Sequence, residues 1–239
     1  MITRSHVAPS HEPALRRLSA LTELDAVARH ALEQAIAAST ACKPRTELMA
    51  EGHEIAAPLL VVEGWAAHVR ILPYGRRQFL HFLLPGDLIG VRLYAHPLAT
   101  SSVIAVTPTR IGRAPEAGLS PSLARVYALN DALERAYLLA QITRLGRLNA
   151  HERLADFLLE LHERFALAGL VRGDGRFDMP LTQEVMADVL GLTPVHVNRV
   201  VQHSRRDGWL EWRAKRVTIH DPEQLAALVG RQPVRVRES

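Results

Sequence analysis

Between Thr193 and Ile219 the chain gathers side chains suited to engaging a polyanion. Six residues of that stretch are basic (Arg199, Arg205, Arg206, Arg213, Lys215 and Arg216) and two are acidic (Asp207 and Glu211), a local excess of four positive charges. Such charges neutralise phosphates and release their counterions. Within the stretch, Val197, Val200 and Val201 recur at helical spacing, while Val195, His196, Asn198, Arg199, Gln202 and His203 supply the other faces. A helix built this way buries its valines and presents amides, imidazoles and a guanidinium outward, which suits it to reading base edges in a major groove. Taken alone, Arg213 to Arg216 fits a solvated surface hairpin equally well.

Those side chains need a scaffold, and the flanking residues spell one. Thr182 is placed to cap a helix whose Val185, Met186, Val189 and Leu190 form a buried stripe. Gly191 then supplies the left-handed turn that ends it. Thr193 caps the next helix, Pro194 occupies its first position without losing a hydrogen bond, and the helix runs to about Arg206. Small Ala187 lets the two helices cross closely. This is a helix-turn-helix pattern. Trp209 to Trp212 and Val217 to His220 read as two short strands joined by the basic turn Arg213 to Arg216, which makes the unit a winged helix-turn-helix.

The remainder of the chain divides by punctuation. From Leu21 to Ala41, Leu24, Val27, Ala31 and Ile36 predict one or two short helices that Pro44 interrupts. From Leu48 to Pro115, short apolar runs alternate with turns such as Glu63-Gly64 and Pro85-Gly86-Asp87, the pattern of an antiparallel barrel or jelly roll. After Pro115, Leu119, Leu123, Val126, Asn130, Leu133, Tyr137 and Ala140 recur at spacings of 4, 3, 4, 3, 4 and 3. That seam predicts a coiled-coil dimer interface with Asn130 as its register device, although the same periodicity fits a helix packed on its own barrel. Ala150 to Leu167 is another helix, carrying His151-Glu152-Arg153 and His162-Glu163-Arg164 eleven residues apart. Neither triplet is His-Glu-x-x-His, so a solvated charged face is expected there rather than a metal site. Arg172 to Arg176 reads as a turn before the helix-turn-helix. The fold class is therefore α+β.

Other chemistries lack their residues. The 239 residues are 48% hydrophobic and 23% charged with net charge +4, which excludes a largely disordered chain and allows one or two domains. The single cysteine, Cys42, can close no internal disulfide and supplies no cysteine cluster, so a reducing, cytoplasmic setting is expected. Met1 to Pro13 lacks the apolar core of a signal peptide, and no run is long enough to span a membrane. No phosphate loop, His-Glu-x-x-His or Gly-x-Ser-x-Gly elbow is present, so no catalytic residues are assigned and no enzyme is expected.

Three blocks of the sequence resemble the Crp/Fnr transcription regulators: Glu63-Gly64-Trp65 through Gly75-Arg76-Arg77-Gln78 to Leu84-Pro85-Gly86-Asp87, then Glu152-Arg153-Leu154 with Leu158 to Leu161, and Leu181 to Arg199. The resemblance implies a flexible arm over residues 1–20, a cyclic-nucleotide-binding-like sensor barrel over 21–118, a dimerisation helix over 119–147 and a winged helix over 148–239. It also implies a homodimer on inverted-repeat double-stranded DNA, with RNA polymerase as a further partner. By it, Arg199 falls at the guanine-contacting arginine, and Val195 and Asn198 fall at the other base-facing positions. Oxygen-responsive members commonly carry Glu and Ser at those two positions, so the operator of this chain is expected to differ. Thr182, Gln183, Thr193 and His196, with Arg213, Lys215 and Arg216, are expected on the DNA backbone.

The sensor segment departs from its cyclic-AMP-binding relatives. Leu88 to Val106 contains no acid, its one cation is Arg92, and Ala99-Thr100-Ser101-Ser102 stands where Arg-Ser would bind phosphate. Control by cyclic AMP is not expected. One cysteine does not hold an iron–sulfur cluster, and a haem would fall to His68, His81 or His96. No cofactor is assigned. The competing reading is a ligand-sensing or interaction module whose winged helix docks a protein, distinguished by a shallow dependence of binding on salt.

Overall fold

The computed structural model describes residues 12–75, 77–91 and 97–234. Helices α1 (Glu12–Leu21) and α2 (Ala26–Ala37) precede the strands β1 (Thr40–Cys42), β2 (Glu47–Met49), β3 (Leu59–Glu63), β4 (Ala66–Ile71), β5 (Arg77–Leu83), β6 (Leu88–Ile89), β7 (Ser102–Ala105) and β8 (Thr109–Arg113). These strands form two antiparallel four-stranded sheets, ordered β1-β8-β3-β6 and β2-β7-β4-β5. The result is a two-layered jelly-roll-like sensor rather than a closed barrel. Val61, Ala66, Leu83, Ile89, Val103 and Ile111 fill the space between the layers.

Both outer faces are covered, which explains why these strands read as continuous apolar runs. Leu60, Val62 and Leu88 of the first sheet pack under Ala14 and Leu18 of α1, Leu32 and Ile36 of α2, and Leu123, Val126 and Tyr127 of α3 (Pro121–Arg147). The second sheet turns Trp65, Val69, Phe79 and Phe82 toward α4 (Ala150–Leu167). Trp65 lies 5.4 Å from Phe165, and Phe82 lies 5.8 Å from Phe157, ring centre to ring centre. The hydrophobic core therefore continues across the boundary expected at Leu148.

Two expectations are corrected here. Residues 12–20 of the expected flexible arm belong to α1, whose Arg17 is buried against the sensor, while residues 1–11 lie outside the described residues. The seam of α3 does not face outward. Leu123, Val126, Asn130, Leu133 and Tyr137 are all buried within the single chain, Ala140 is half-buried, and Leu119 precedes the helix. Asn130 accepts a hydrogen bond from Arg17 Nη1 at 3.0 Å, within its own chain. Tyr137 stacks on His81 of β5. A period of 3.5 residues shows that a helix has an apolar stripe, not what covers it.

A second stripe on α3 is uncovered. Ala128, Ala132, Arg135, Leu139, Ile142 and Gly146 recur at spacings of 4, 3, 4, 3 and 4, with Leu139 60% and Ile142 67% exposed, Ala132 half-buried and Arg135 paired with Asp131. The helix is apolar on two sides, so its periodicity in sequence is blurred.

Candidate nucleic-acid interface

The C-terminal unit is β9 (Arg176–Asp178), α5 (Gln183–Leu190), α6 (Pro194–Arg206), β10 (Leu210–Arg213), β11 (Arg216–Ile219) and α7 (Pro222–Leu228). Its caps form as their residue types require. Thr182 accepts from Val185 N at 3.3 Å and Thr193 from His196 N at 3.2 Å. Gly191 takes φ 64°, a left-handed turn that lets its N–H close on Ala187 O. Met186, Ala187, Val189, Leu190, Val197 and Val200 are buried between the helices, while Val185 and Val201 are half-buried.

The opposite side of α6 is open. Val195 is 71% exposed, and His196, Asn198, Arg199, Gln202 and His203 are exposed beside it. Thr182 and Gln183 sit exposed at the N-terminus of α5, and Thr193 and His196 at that of α6, where backbone N–H groups and the helix dipole favour anions. His203, Arg205 and Arg206 occupy the last turn of α6, the end where cations are favoured, and His203 Nε2 lies 3.1 Å from Asp207 Oδ2.

The wing is a tight hairpin: β10 pairs in register with β11 from Leu210 and Ile219 out to Arg213 and Arg216. Its two-residue turn places Ala214 at φ 47° and Lys215 at φ 62°. Such a primed turn follows the twist of the strands and lifts Lys215 at the tip. Arg213 pairs with Glu211 at 2.7 Å and Arg216 with Asp178 at 3.5 Å, all largely solvent-facing, so both guanidiniums can exchange a weak surface pair for phosphate. β9 joins β11 as a third strand, which sequence reasoning missed; alternation of Phe177 and Met179 after Gly175 is its signal. Arg172 to Gly175 forms the expected turn.

Two further features were not legible as sites. Gln202, Arg205 and Arg206 of α6 converge with Arg213 and His220 of the wing on a cleft of about 310 Å³, in which Glu211 is the one acid and is paired with Arg213, so cations far apart in sequence form one patch. Behind it, a groove of about 510 Å³ lies between α4, α6 and α7, lined by Trp209, Leu225 and Leu228 with the His151 and His203 rings 4.6 Å apart. Burial, with the neighbouring His203, lowers the pKa of His151 below the ordinary histidine value.

The paired triplets of α4 correct a third expectation, that of a solvated charged face. Arg153 donates to the carbonyls of Leu148, Leu190 and Leu145, Glu152 completes a capping box with Asn149, and Glu163 binds Arg231. Arg164 is buried over the Tyr137 ring, between Asp87 at 2.6 Å and Glu160 at 3.3 Å. No group of three or more metal-ligating side chains occurs among the described residues.

In the sensor, a cavity of about 290 Å³ lies between the sheets and α3, lined by Met49, Ile55, His68, Asp131, Glu134 and Arg135 among others. His68 is held at both ring nitrogens, by Ser101 Oγ at 2.8 Å and Glu134 Oε1 at 3.2 Å. His81 is buried, and desolvation together with the Arg164 charge keeps its imidazole neutral. Arg76, Arg92 and His96 lie outside the described residues. Among the described residues no helix is long and apolar enough to cross a membrane.

Two family models match the chain: a cyclic nucleotide-binding domain over residues 40–125 and a Crp-like helix-turn-helix domain over residues 152–228. The nitrogen fixation regulation protein FixK of Bradyrhizobium diazoefficiens is 32% identical over 176 residues, 71% of this chain and 73% of its own. The transcriptional activator protein FnrL of Cereibacter sphaeroides is 32% identical over 171 residues, 66% of each chain. The structure of FixK2 from Bradyrhizobium japonicum superimposes with a TM-score of 0.68 at 26% identity, covering 82% of this chain and 98% of that one. The chain belongs to the Crp/Fnr family of transcription regulators. As in the family, its sensor-like sheets precede the long helix and its helix-turn-helix follows. α5 and α6 both fall within the span matched by the Crp-like helix-turn-helix model, and the 310 Å³ cleft lies between α6 and the wing.

Proposed function

We propose that the protein is a homodimeric, sequence-specific DNA-binding regulator that reads an inverted repeat through Pro194–Arg206, one recognition helix to each half-site. The observation that carries this reading is the exposed face of α6, Val195, Asn198 and Arg199, set beside the cationic cleft of the wing. Arg199 bonds guanine O6 and N7 together, Asn198 bonds adenine and Val195 packs on a thymine methyl, each by the chemistry of its side chain. Thr182, Gln183, Thr193, His196, Arg213, Lys215 and Arg216 seat the phosphates, joined by Arg205 and Arg206.

Two copies meet along Ala128, Ala132, Arg135, Leu139, Ile142 and Gly146 of α3, the stripe that the chain's own fold leaves uncovered and whose heptad spacing suits a parallel pair. The reading heads then meet successive major grooves about 34 Å apart. Cyclic AMP is not the controlling ligand. The segment Leu88 to Val106 holds no acid for a ribose and carries Ala99-Thr100-Ser101-Ser102 where Arg-Ser would bind phosphate, and Ser101 is engaged by His68. One cysteine does not hold an iron–sulfur cluster, and a haem at His68 would have to displace the Ser101 and Glu134 partners that its ring already holds. The protein works in the cytoplasm beside RNA polymerase and catalyses no reaction.

The test is binding of purified protein to a pool of inverted-repeat duplexes, by fluorescence anisotropy at two salt concentrations, with and without cyclic AMP. Tight binding without nucleotide, weakening steeply with salt, supports the reading. A shallow salt slope favours a protein-docking module, and binding only with nucleotide overturns the assignment of the sensor.

A further inference from the structure

The last four carbonyls of a helix have no partner within it, and at α5 each finds one elsewhere. Ala187 O accepts from the N–H groups of Gly191 and Leu192 in the following turn. Asp188 O accepts from Gln78 Nε2 of β5 at 3.1 Å, Val189 O from Gln141 Nε2 of α3 at 2.7 Å, and Leu190 O from Arg153 Nη1 of α4 at 3.0 Å. The carbonyl end of the first helix of the reading head thus sits in a socket made by the sensor, the long helix and α4. The Asp188 side chain adds an ion pair with Arg77 Nε at 2.7 Å.

The socket is itself fixed. Gln78 Nε2 also donates to Phe79 O at 2.9 Å, so two carbonyls dictate which way its amide points. Gln141 is buried, and its Oε1 accepts from Arg144, which turns its NH₂ toward α5. Arg144 in turn binds Asp156 at 2.7 Å and Glu160 at 2.6 Å. Glu160 binds Arg164 at 3.3 Å, and Arg164 binds Asp87 of the sensor turn at 2.6 Å. A continuous chain therefore runs from the sensor's Pro85-Gly86-Asp87 turn to the end of α5: charge-assisted bonds as far as Gln141, then the neutral bond from Gln141 to Val189 O. Docked this way, α5 leaves the open face of α6 turned to solvent.

We propose that Gln78, Arg77 and Gln141 are positioning residues for DNA binding: they hold α5 by its carbonyl end and so set the angle, and hence the spacing, at which the two recognition helices meet the operator. Gln78 and Arg77 bond to Asp188 at the end of α5, not to the open face of α6. Their effect passes through Asp188 and the end of α5. This rests on the reading above, that two copies bind an inverted repeat.

The experiment compares the affinity of the full-length protein for operators of optimal spacing, for operators lengthened or shortened by about two base pairs, and for DNA carrying a single half-site. A merely structural role would change all three together. For Gln78→Met and for Arg77→Met, the preference for optimal over altered spacing falls by at least about 5-fold, the scale of a typical coupling between sites. Half-site affinity stays within about 2-fold, because the reading face itself is untouched. Unchanged spacing preference in both variants overturns the proposal, as does an equal loss on all three DNAs. Should either variant fail to fold, the reversed pair Arg77→Asp with Asp188→Arg decides: a spacing preference like that of the wild type supports the socket, and a relaxed one in a folded protein overturns it. A wild-type protein indifferent to half-site sequence would instead refute the proposed function, leaving the two failures distinguishable.

Discussion

Asp87 is held between two guanidiniums, Arg17 at 2.5 Å on one oxygen and Arg164 at 2.6 Å on the other. The three residues are 4%, 2% and 2% exposed, which decides the scale of their interaction. A surface pair contributes about 0–1 kcal/mol, but removing one member of a buried pair leaves an uncompensated charge and costs about 3–5 kcal/mol. Asp87→Asn keeps an acceptor for Leu84 N, now 2.7 Å from Asp87 Oδ2, but removes the negative charge and turns the oxygen that faces Arg17 into an NH₂ donor. The expected loss is therefore about 3–5 kcal/mol, or roughly 10 °C in melting temperature for a chain of this size. Equilibrium urea unfolding at one fixed protein concentration measures it. The control is Arg70→Ala, which breaks the half-exposed Arg70–Glu51 pair and costs about 1 kcal/mol or less. A loss for Asp87→Asn within about 1 kcal/mol of that control would show that the network is not the buried, mutually dependent chain of charges described above.

Three other outcomes follow from particular contacts. On the proposed dimer, Ile142→Glu breaks the exposed stripe of α3 and shifts sedimentation from dimer to monomer, whereas Leu133→Ala on the buried seam destabilises by about 2–5 kcal/mol. His81 is kept neutral by burial and by Arg164, so below the ordinary value of 6.5 the unfolded chain binds a proton that the folded one does not. Its share of the stability is accordingly present above that value and lost as pH falls below it, with a slope approaching about 1.4 kcal/mol per pH unit, and His81→Phe flattens that slope in urea titrations between pH 7 and 5. Thr193→Ala removes the cap of α6 and lowers stability by about 1 kcal/mol in the same assay, where no measurable change would show that the 3.2 Å bond is not formed in solution.

The reading head was legible because its signals are local. Thr182, Gly191, Thr193 and Pro194 each act on a backbone within four residues, and the helices begin and end where these residues dictate. The sensor was legible only as a class: strands buried on both faces read as apolar runs, so their order and pairing could not be taken from periodicity. The seam of α3 was misassigned because Asn130 and Tyr137 find partners 113 and 56 positions earlier, Arg17 and His81, that no local pattern names. The same holds for the arginines of α4. Arg153 and Arg164 look like surface charge in a triplet, yet bind the carbonyl of Leu190 and the carboxylate of Asp87. Asp221 and Pro222, the cap and first position of α7, were in plain view and went unread.

The central claim is that the exposed face of α6 reads DNA, and Arg199→Ala tests it most directly. Its affinity for the selected operator and for a scrambled duplex of equal length would be measured by anisotropy at one salt concentration. Loss of a bidentate guanine contact, about 1–3 kcal/mol, predicts roughly 5- to 150-fold weaker binding to the operator and a much smaller change on the scrambled duplex. Equal losses on both duplexes would mean that Arg199 only neutralises phosphate, and would contradict the account.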